Sequence, residues 1–181
     1  MRVITGIARG KRIITLPGDD IVRPTPERVK EGLFSAIQFD IEGRRVLDLF
    51  AGCGQLGIEA LSRGANRAVF IDAREDACKI IRENIRRTKF ENQARVIRSD
   101  YLEYLRRCKE KFDIILLDPP YAEVFLENAL KSITEIDILQ SGGIIIAERP
   151  IEKELLLDFE GFTRSKDYKY GKTLLTIYRK D

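Results

Sequence analysis

Asp118-Pro119-Pro120-Tyr121 follows directly on the apolar run of residues 112–117. An acid, two prolines and an aromatic ring stand where a buried strand has to stop, because neither proline can donate to a sheet ladder. Open α/β sheets bind ligands in the crevice beyond the carboxyl ends of their strands. The four residues therefore read as the floor of a reaction site. The chain contains no histidine, which removes the usual general base, the usual zinc ligand and any Ser-His or Cys-His nucleophile pair. Chemistry here has to run on carboxylates, hydroxyls, backbone groups or a cofactor, and no metal site is expected.

Gly52-Cys53-Gly54-Gln55-Leu56-Gly57 fits GxGxxG between a strand and a helix, the context in which glycines let backbone approach a ligand. Asp72 ends the next apolar run and is placed to accept from ribose hydroxyls. On those residues alone a nicotinamide-dependent oxidoreductase fits. Asp48 points elsewhere, because a carboxylate just ahead of the glycine loop repels a pyrophosphate and suits a cationic or amino-bearing group. Asp100, with Tyr101, stands where an acid can accept from an adenine amino group. The tetrad at Asp118 lacks the His, Lys or Tyr arrangement that hydride chemistry often uses. A cofactor with an amino-acid tail, a ribose and an adenine satisfies all four strand ends, and S-adenosylmethionine is that cofactor. Asp48, Phe50, Gly52, Gly54, Gly57, Asp72, Ala73, Asp100 and Tyr101 are the residues expected to bind it. Cys53 reads as a small loop residue rather than a covalent nucleophile, and Cys53, Cys78 and Cys108 form no CxxC pair.

The elements that position these residues alternate from Arg45 onward. Apolar runs at 46–50, 68–72, 94–97, 112–117 and 143–147 are separated by helical patterns at 58–63, 77–85, around Leu102 and Leu105, at 122–137 and at 152–157. Residues 162–168 and 174–178 read as a terminal antiparallel hairpin. The alternation predicts an α/β fold, a doubly wound, mostly parallel seven-stranded sheet with helices on both faces. Ahead of it, residues 1–16 read as two short strands around a turn. Thr25 and Pro26 fit the N-cap and first position of a helix striped by Val29, Leu33 and Ile37. Residues 1–40 are assigned to a basic extension and 41–181 to the main domain.

The net charge of +3 permits a nucleic-acid partner without requiring one. Arg2, Arg9, Lys11 and Arg12 occur in a stretch without an acid, and fit equally an edge hairpin kept soluble by charge and a phosphate-contacting arm. Lys30 reads as a solvated charge on its helix, and Asp113 as a solvated acid ahead of its strand. No apolar run approaches the roughly 20 residues of a membrane helix, and residues 1–6 lack the core of a signal peptide. A soluble, cytoplasmic protein with no membrane partner is expected.

Asp48-Leu49-Phe50-Ala51-Gly52-Cys53-Gly54, Ile71-Asp72, Asp100 and Asp118-Pro119-Pro120-Tyr121 together resemble the motifs of class I S-adenosylmethionine-dependent methyltransferases acting on exocyclic amines. Arg2-Val3-Ile4-Thr5-Gly6, Arg9-Gly10-Lys11, residues 23–31 and residues 57–64 resemble the RsmD family, bacterial guanine-N2 methyltransferases of 16S rRNA. The resemblance implies a Rossmann-like methyltransferase sheet. It also implies that Asp118 and the Pro119 carbonyl hold the two N–H bonds of the target amine and turn its lone pair toward the methyl group, while Tyr121 stacks on the base. Arg2, Arg9, Lys11, Arg12, Arg23, Thr25 and Arg28 are then the RNA-binding residues. The acceptor is 16S rRNA, free, in an assembly intermediate or in the 30S subunit, and a monomer is expected. Glu148-Arg149-Pro150 departs from the family pattern and its role stays open. A DNA amino-methyltransferase would use the same tetrad but needs a target-recognition region for which 181 residues leave little room. A protein-glutamine methyltransferase would carry Asn in place of Asp118, and a non-catalytic RNA-binding descendant would be expected to have lost one of the four acids.

Overall fold

A strand buried on both faces needs apolar side chains at every position, not at alternate ones. Phe112, Ile114, Ile115, Leu116 and Leu117 meet that demand, each at most 1% exposed, and Asp113 near the strand's start is the exception. The computed structural model describes residues 1–16, 27–120, 123–152 and 159–181. Its elements are α1 (Glu27–Ala36), β1 (Arg45–Asp48), α2 (Gln55–Ser62), β2 (Arg67–Asp72), α3 (Glu75–Thr88), β3 (Ala94–Arg98), α4 (Tyr101–Arg107), β4 (Phe112–Leu117), α5 (Glu123–Ile136), β5 (Leu139–Pro150), β6 (Phe162–Tyr170) and β7 (Thr173–Lys180). They form a seven-stranded sheet of order β3-β2-β1-β4-β5-β7-β6. Strands β1 to β5 pair in parallel, and β7 runs antiparallel to both β5 and β6. The expected α/β sheet is present, and its order reverses between β1 and β4.

Alternation along each strand divides the core in two. Val46, Phe70, Ile114 and Ile144 pack on one face with α1, α2 and α3. Leu47, Val69, Ile115 and Ile145 pack on the other with α4 and α5. Asp48 shares the parity of Val46 and so points toward α2. Val3, Ala8 and Ile13 bury themselves in the same cluster as Val46, as do Val29, Leu33 and Phe34 of α1. Residues 1–16 and α1 thus close over the sheet's α2 side.

Several expectations change. The N-terminal stretch forms no regular strands but keeps the outline of the expected hairpin: an antiparallel bridge joins Arg2 to Arg12, Val3 N donates to Lys11 O, Gly10 N to Val3 O and Ile13 N to Met1 O, and side chains of α2 and α3 hold its outer backbone. Lys30 is not solvated but fully buried, with its ammonium 3.3 Å from Glu59. Asp113 lies within β4 and is half-buried; it accepts from the Arg45 N–H at 2.8 Å. Strand β1 ends at Asp48, yet Leu49 N still donates to Leu116 O and Ala51 N to Ile71 O. Strand β5 runs longer than expected, and its Arg149 is a buried fastener to the antiparallel edge, donating to Thr176 Oγ1 at 3.2 Å and Asp167 Oδ2 at 3.3 Å. The helix expected at 152–157 lies largely outside the described residues. No helix among those described is long and apolar enough to cross a membrane.

Candidate active site

Parallel register brings the acids of separate strands to one end of the sheet. Asp48 pairs with Phe70 on one side and Leu116 on the other. Two residues beyond each partner stand Asp72 and Asp118, at the carboxyl ends of β2 and β4. A cavity of about 360 Å³ opens there, lined by Asp48, Phe50, Gly52, Asp72, Ala73, Asp100, Tyr101, Asp118, Pro119 and Pro120 among others. Its volume lies within the usual range for small-molecule sites, at the switch point where α/β folds place them.

The glycine loop owes its shape to two positions. Gly52 and Gly54 have φ of 56° and 81°, in the left-handed region that other residues avoid. Gly54 caps α2 without a side-chain bond, and the cap is supplied from the strand instead. Gly57 N, a free donor of the first helical turn, donates to Asp48 Oδ2 at 3.0 Å. Gly57 also lets α2 lie against β2, since a Cβ there would stand 2.3 Å from the Phe70 ring. Gly54 and Gly57 therefore shape the loop from behind, and neither lines the cavity.

Asp48 is 1% exposed. Burial raises its pKa from the ordinary 3.8 to about 7, an effect that the Gly57 hydrogen bond opposes and the charges of Asp118 and Asp72 reinforce. Such a group favours a cationic neighbour, which would return it to the carboxylate form. Asp72 takes Gly52 N on Oδ2 and Arg74 N on Oδ1, both at 2.9 Å. A carboxylate keeps further lone pairs for the hydroxyls of a ligand. Asp100 does not end β3 but caps α4, accepting Leu102 N at 2.9 Å and Glu103 N at 3.2 Å on Oδ1. Tyr101 is buried and packs at 5.0 Å from Phe50 and 5.6 Å from Phe125, giving the cavity an aromatic wall. Asp118 and Pro119 are half-buried and Pro120 exposed, so the tetrad's first three residues sit at the cavity's solvent side. Tyr121, Arg23 and Thr25 lie outside the described residues. Arg2, Arg9, Arg12 and Arg28 are exposed, whereas Lys11 donates to Arg87 O at 2.9 Å, at the end of α3.

Sequence reasoning missed Leu16, Leu49, Ala51, Cys53, Gln55, Leu56, Arg74 and Phe125 as lining residues. Leu16 and Phe125 read as ordinary core letters. Gln55 had a signal, as a polar residue where a helix enters its own core. It is 6% exposed, and its Oε1 has no hydrogen-bond partner among the described residues. These groups can hold a nucleoside with a cationic end, and can place it beside the acceptors of Asp118 and Pro119. Among the described residues no cluster of His, Cys, Asp or Glu has the form of a metal site.

Comparison with known proteins agrees over nearly the whole chain. The profile of the family described as "Conserved hypothetical protein 95" matches residues 1–179. The ribosomal RNA small subunit methyltransferase D of Haemophilus influenzae is 32% identical over 182 residues, covering 99% of this chain and 93% of its own length. The same-named protein of Escherichia coli is 29% identical, covering 100% and 90%. The solved structure of yhhF from Escherichia coli superposes with a TM-score of 0.91 at 26% identity, covering 100% of this chain and 98% of that one.

Proposed function

The chain belongs to the family described as "Conserved hypothetical protein 95", that of the RsmD proteins its motifs resemble, and from that membership we propose that it methylates the exocyclic N2 amine of a guanine in small-subunit rRNA, with S-adenosylmethionine as methyl donor. The observation that carries the reading is the meeting of Asp48, Asp72, Asp100 and Asp118 on one cavity. The donor set fits the cofactor. Asp48 suits the ammonium of its amino-acid end, Asp72 its ribose and Asp100 its adenine amino group, while Phe50, Tyr101 and Phe125 offer apolar surface to the base. When bound, S-adenosylmethionine supplies a methyl group whose bond to sulfur breaks as the amine nitrogen takes it.

The protein's own part is positional. A guanine amine is a weak nucleophile because its lone pair is delocalised into the ring. Asp118 and the Pro119 carbonyl accept its two N–H bonds and turn the lone pair out of conjugation, toward the methyl carbon. Orientation of this kind supplies much of the barrier reduction in a displacement. Asp118 need not be a strong base, since the proton leaves after transfer, when the nitrogen has become acidic. The base reaches the site only out of its stack, and the exposed Arg2, Arg9, Arg12 and Arg28 hold the flanking phosphates.

Asp118→Ala tests the assignment. It should keep the affinity for S-adenosylmethionine while lowering methyl transfer to small-subunit rRNA on the order of 10²-fold or more. Normal turnover by the variant would remove Asp118 from the mechanism. Mass-spectrometric mapping of the rRNA from cells with and without the protein identifies the base; an unchanged methylation pattern would overturn the guanine assignment.

A further inference from the structure

Residues 57–64 form a motif that neither the cofactor nor the amine explains. Within it, Gly57 serves the sheet, but Glu59 and Ser62 face away from the cavity. Glu59 is 0% exposed and Ser62 1%, and both spend their polar atoms on the N-terminal arm. Glu59 accepts Ile4 N at 2.8 Å and Thr5 N at 2.9 Å. Ser62 accepts Ala8 N on its hydroxyl at 3.0 Å and Ile7 N on its carbonyl at 2.9 Å, and its hydroxyl donates to Thr5 O at 2.6 Å. The gap at Gly6 is steric: a Cβ there would stand 1.7 Å from Ser62 O. Lys30 completes the joint from α1, donating to Arg2 O at 2.8 Å while paired with Glu59. Arg63 closes the other side, 3.0 Å from Glu59 and stacked over the Phe34 ring.

The arm therefore has a short ladder of its own between residues 1–3 and 10–13, while its turn from Ile4 to Ala8 is shaped by a socket on α2. Arginines on a loose segment would have to be ordered as RNA binds, and that ordering subtracts from affinity. Here the backbone between Arg2 and Arg9 is fixed beforehand, with Arg9 and Arg12 left in solvent and Arg2 exposed beside Glu27 at 3.6 Å. We propose that Glu59 and Ser62 are positioning residues for the RNA substrate, forming a socket that presets the arm as a rigid phosphate-binding surface. This inference rests on the reading that the arm contacts RNA.

The test uses the full-length protein, a transcript of small-subunit rRNA and S-adenosylhomocysteine as probes. Ser62→Ala and Glu59→Gln should speed hydrogen exchange at the amides of Ile4, Thr5 and Ala8. They should weaken RNA binding roughly ten-fold or more, flatten its salt dependence, and leave S-adenosylhomocysteine affinity within about two-fold. Glu59→Gln strands the buried Lys30, so where it fails to fold, Glu59→Gln with Lys30→Met removes both charges and Ser62→Ala stands by itself. Faster exchange with RNA affinity and salt slope unchanged would overturn the socket's role, as would unchanged exchange. Arg12→Ala separates the two ideas. If that variant leaves the salt slope of RNA binding intact, the arm's contact with RNA fails and the socket falls with it. If Arg12→Ala flattens the slope while the socket variants do not, the socket alone fails.

Discussion

Two carboxylates lie buried on opposite sides of α2, Asp48 at 1% exposure and Glu59 at 0%. Glu59 receives two backbone N–H groups and stands against Lys30 and Arg63. Among the described residues Asp48 receives one hydrogen bond, from Gly57, and the charges that act on it belong to Asp118 and Asp72. Asp48 of β1 and Glu59 of α2 thus flank one helix, one acid completed from within and the other needing a positive partner from outside. A buried acid with its donors in place fastens structure; one facing other acids marks a site for a cation.

Replacing each acid by its amide should expose this difference, because the two changes act with opposite sign. Glu59→Gln leaves Lys30 buried without its counter-charge, and should cost about 3–5 kcal/mol of stability in denaturant unfolding. Asp48→Asn should stabilise the protein at pH 8. The sign follows from linkage: with a native pKa near 7 against an ordinary 3.8, the native state binds more protons than the unfolded state between those values. The stability contributed by the protonated form is complete below pH 3.8 and is lost as pH rises through 7. Removing the titration should recover on the order of 4 kcal/mol at most above that window, at about 1.4 kcal/mol per pKa unit. Equal destabilisation by both changes, measured at pH 8, would break the comparison.

The legible and illegible parts of the molecule divide along the same line. Strands β1, β2 and β4 could be read because a sheet covered on both faces demands continuous apolar runs, and Asp118 because prolines end such a run abruptly. Asp48 could be read as a site residue because an acid inside an apolar strand has no ordinary reason to be there. Glu59 and Lys30 could not. Each sits in a helix where charged letters usually face water, and the partners of Glu59 include backbone N–H groups, which carry no sequence signature. The hairpin at residues 1–16 was legible only in outline, for a related reason. Its two halves do exchange a few backbone bonds, but Val3 and Ile13 are apolar because they pack into the core beside α2 and α3. Leu16 and Phe125 joined the cavity through tertiary folding alone.

A smaller effect concerns the cofactor. An ammonium binds the carboxylate form of Asp48, so binding must first take a proton from it at acid pH. Affinity for S-adenosylhomocysteine should rise roughly ten-fold from pH 6 to pH 8 and level off beyond the native pKa. In Asp48→Asn that rise should vanish, with affinity low throughout. Calorimetry across the range decides it, and a pH-independent affinity in the unaltered protein would mean that Asp48 is not the group the ammonium meets.

The smallest expected effect separates two neighbours in the arm. Arg12 is exposed, and Arg12→Ala should reduce the slope of log affinity for RNA against log salt by about 0.7–0.9, the loss of one phosphate contact. Lys11 donates to Arg87 O at 2.9 Å, where the carbonyl end of α3 attracts a cation. Lys11→Ala should therefore lower stability by a few tenths of a kcal/mol and change the slope less than Arg12→Ala does. A slope lowered by both variants, but more by Lys11→Ala, would show that Lys11 leaves α3 for the phosphates when RNA arrives. In that case the arm yields just after its turn, and the rigidity imposed by Glu59 and Ser62 extends only to residues 4–8.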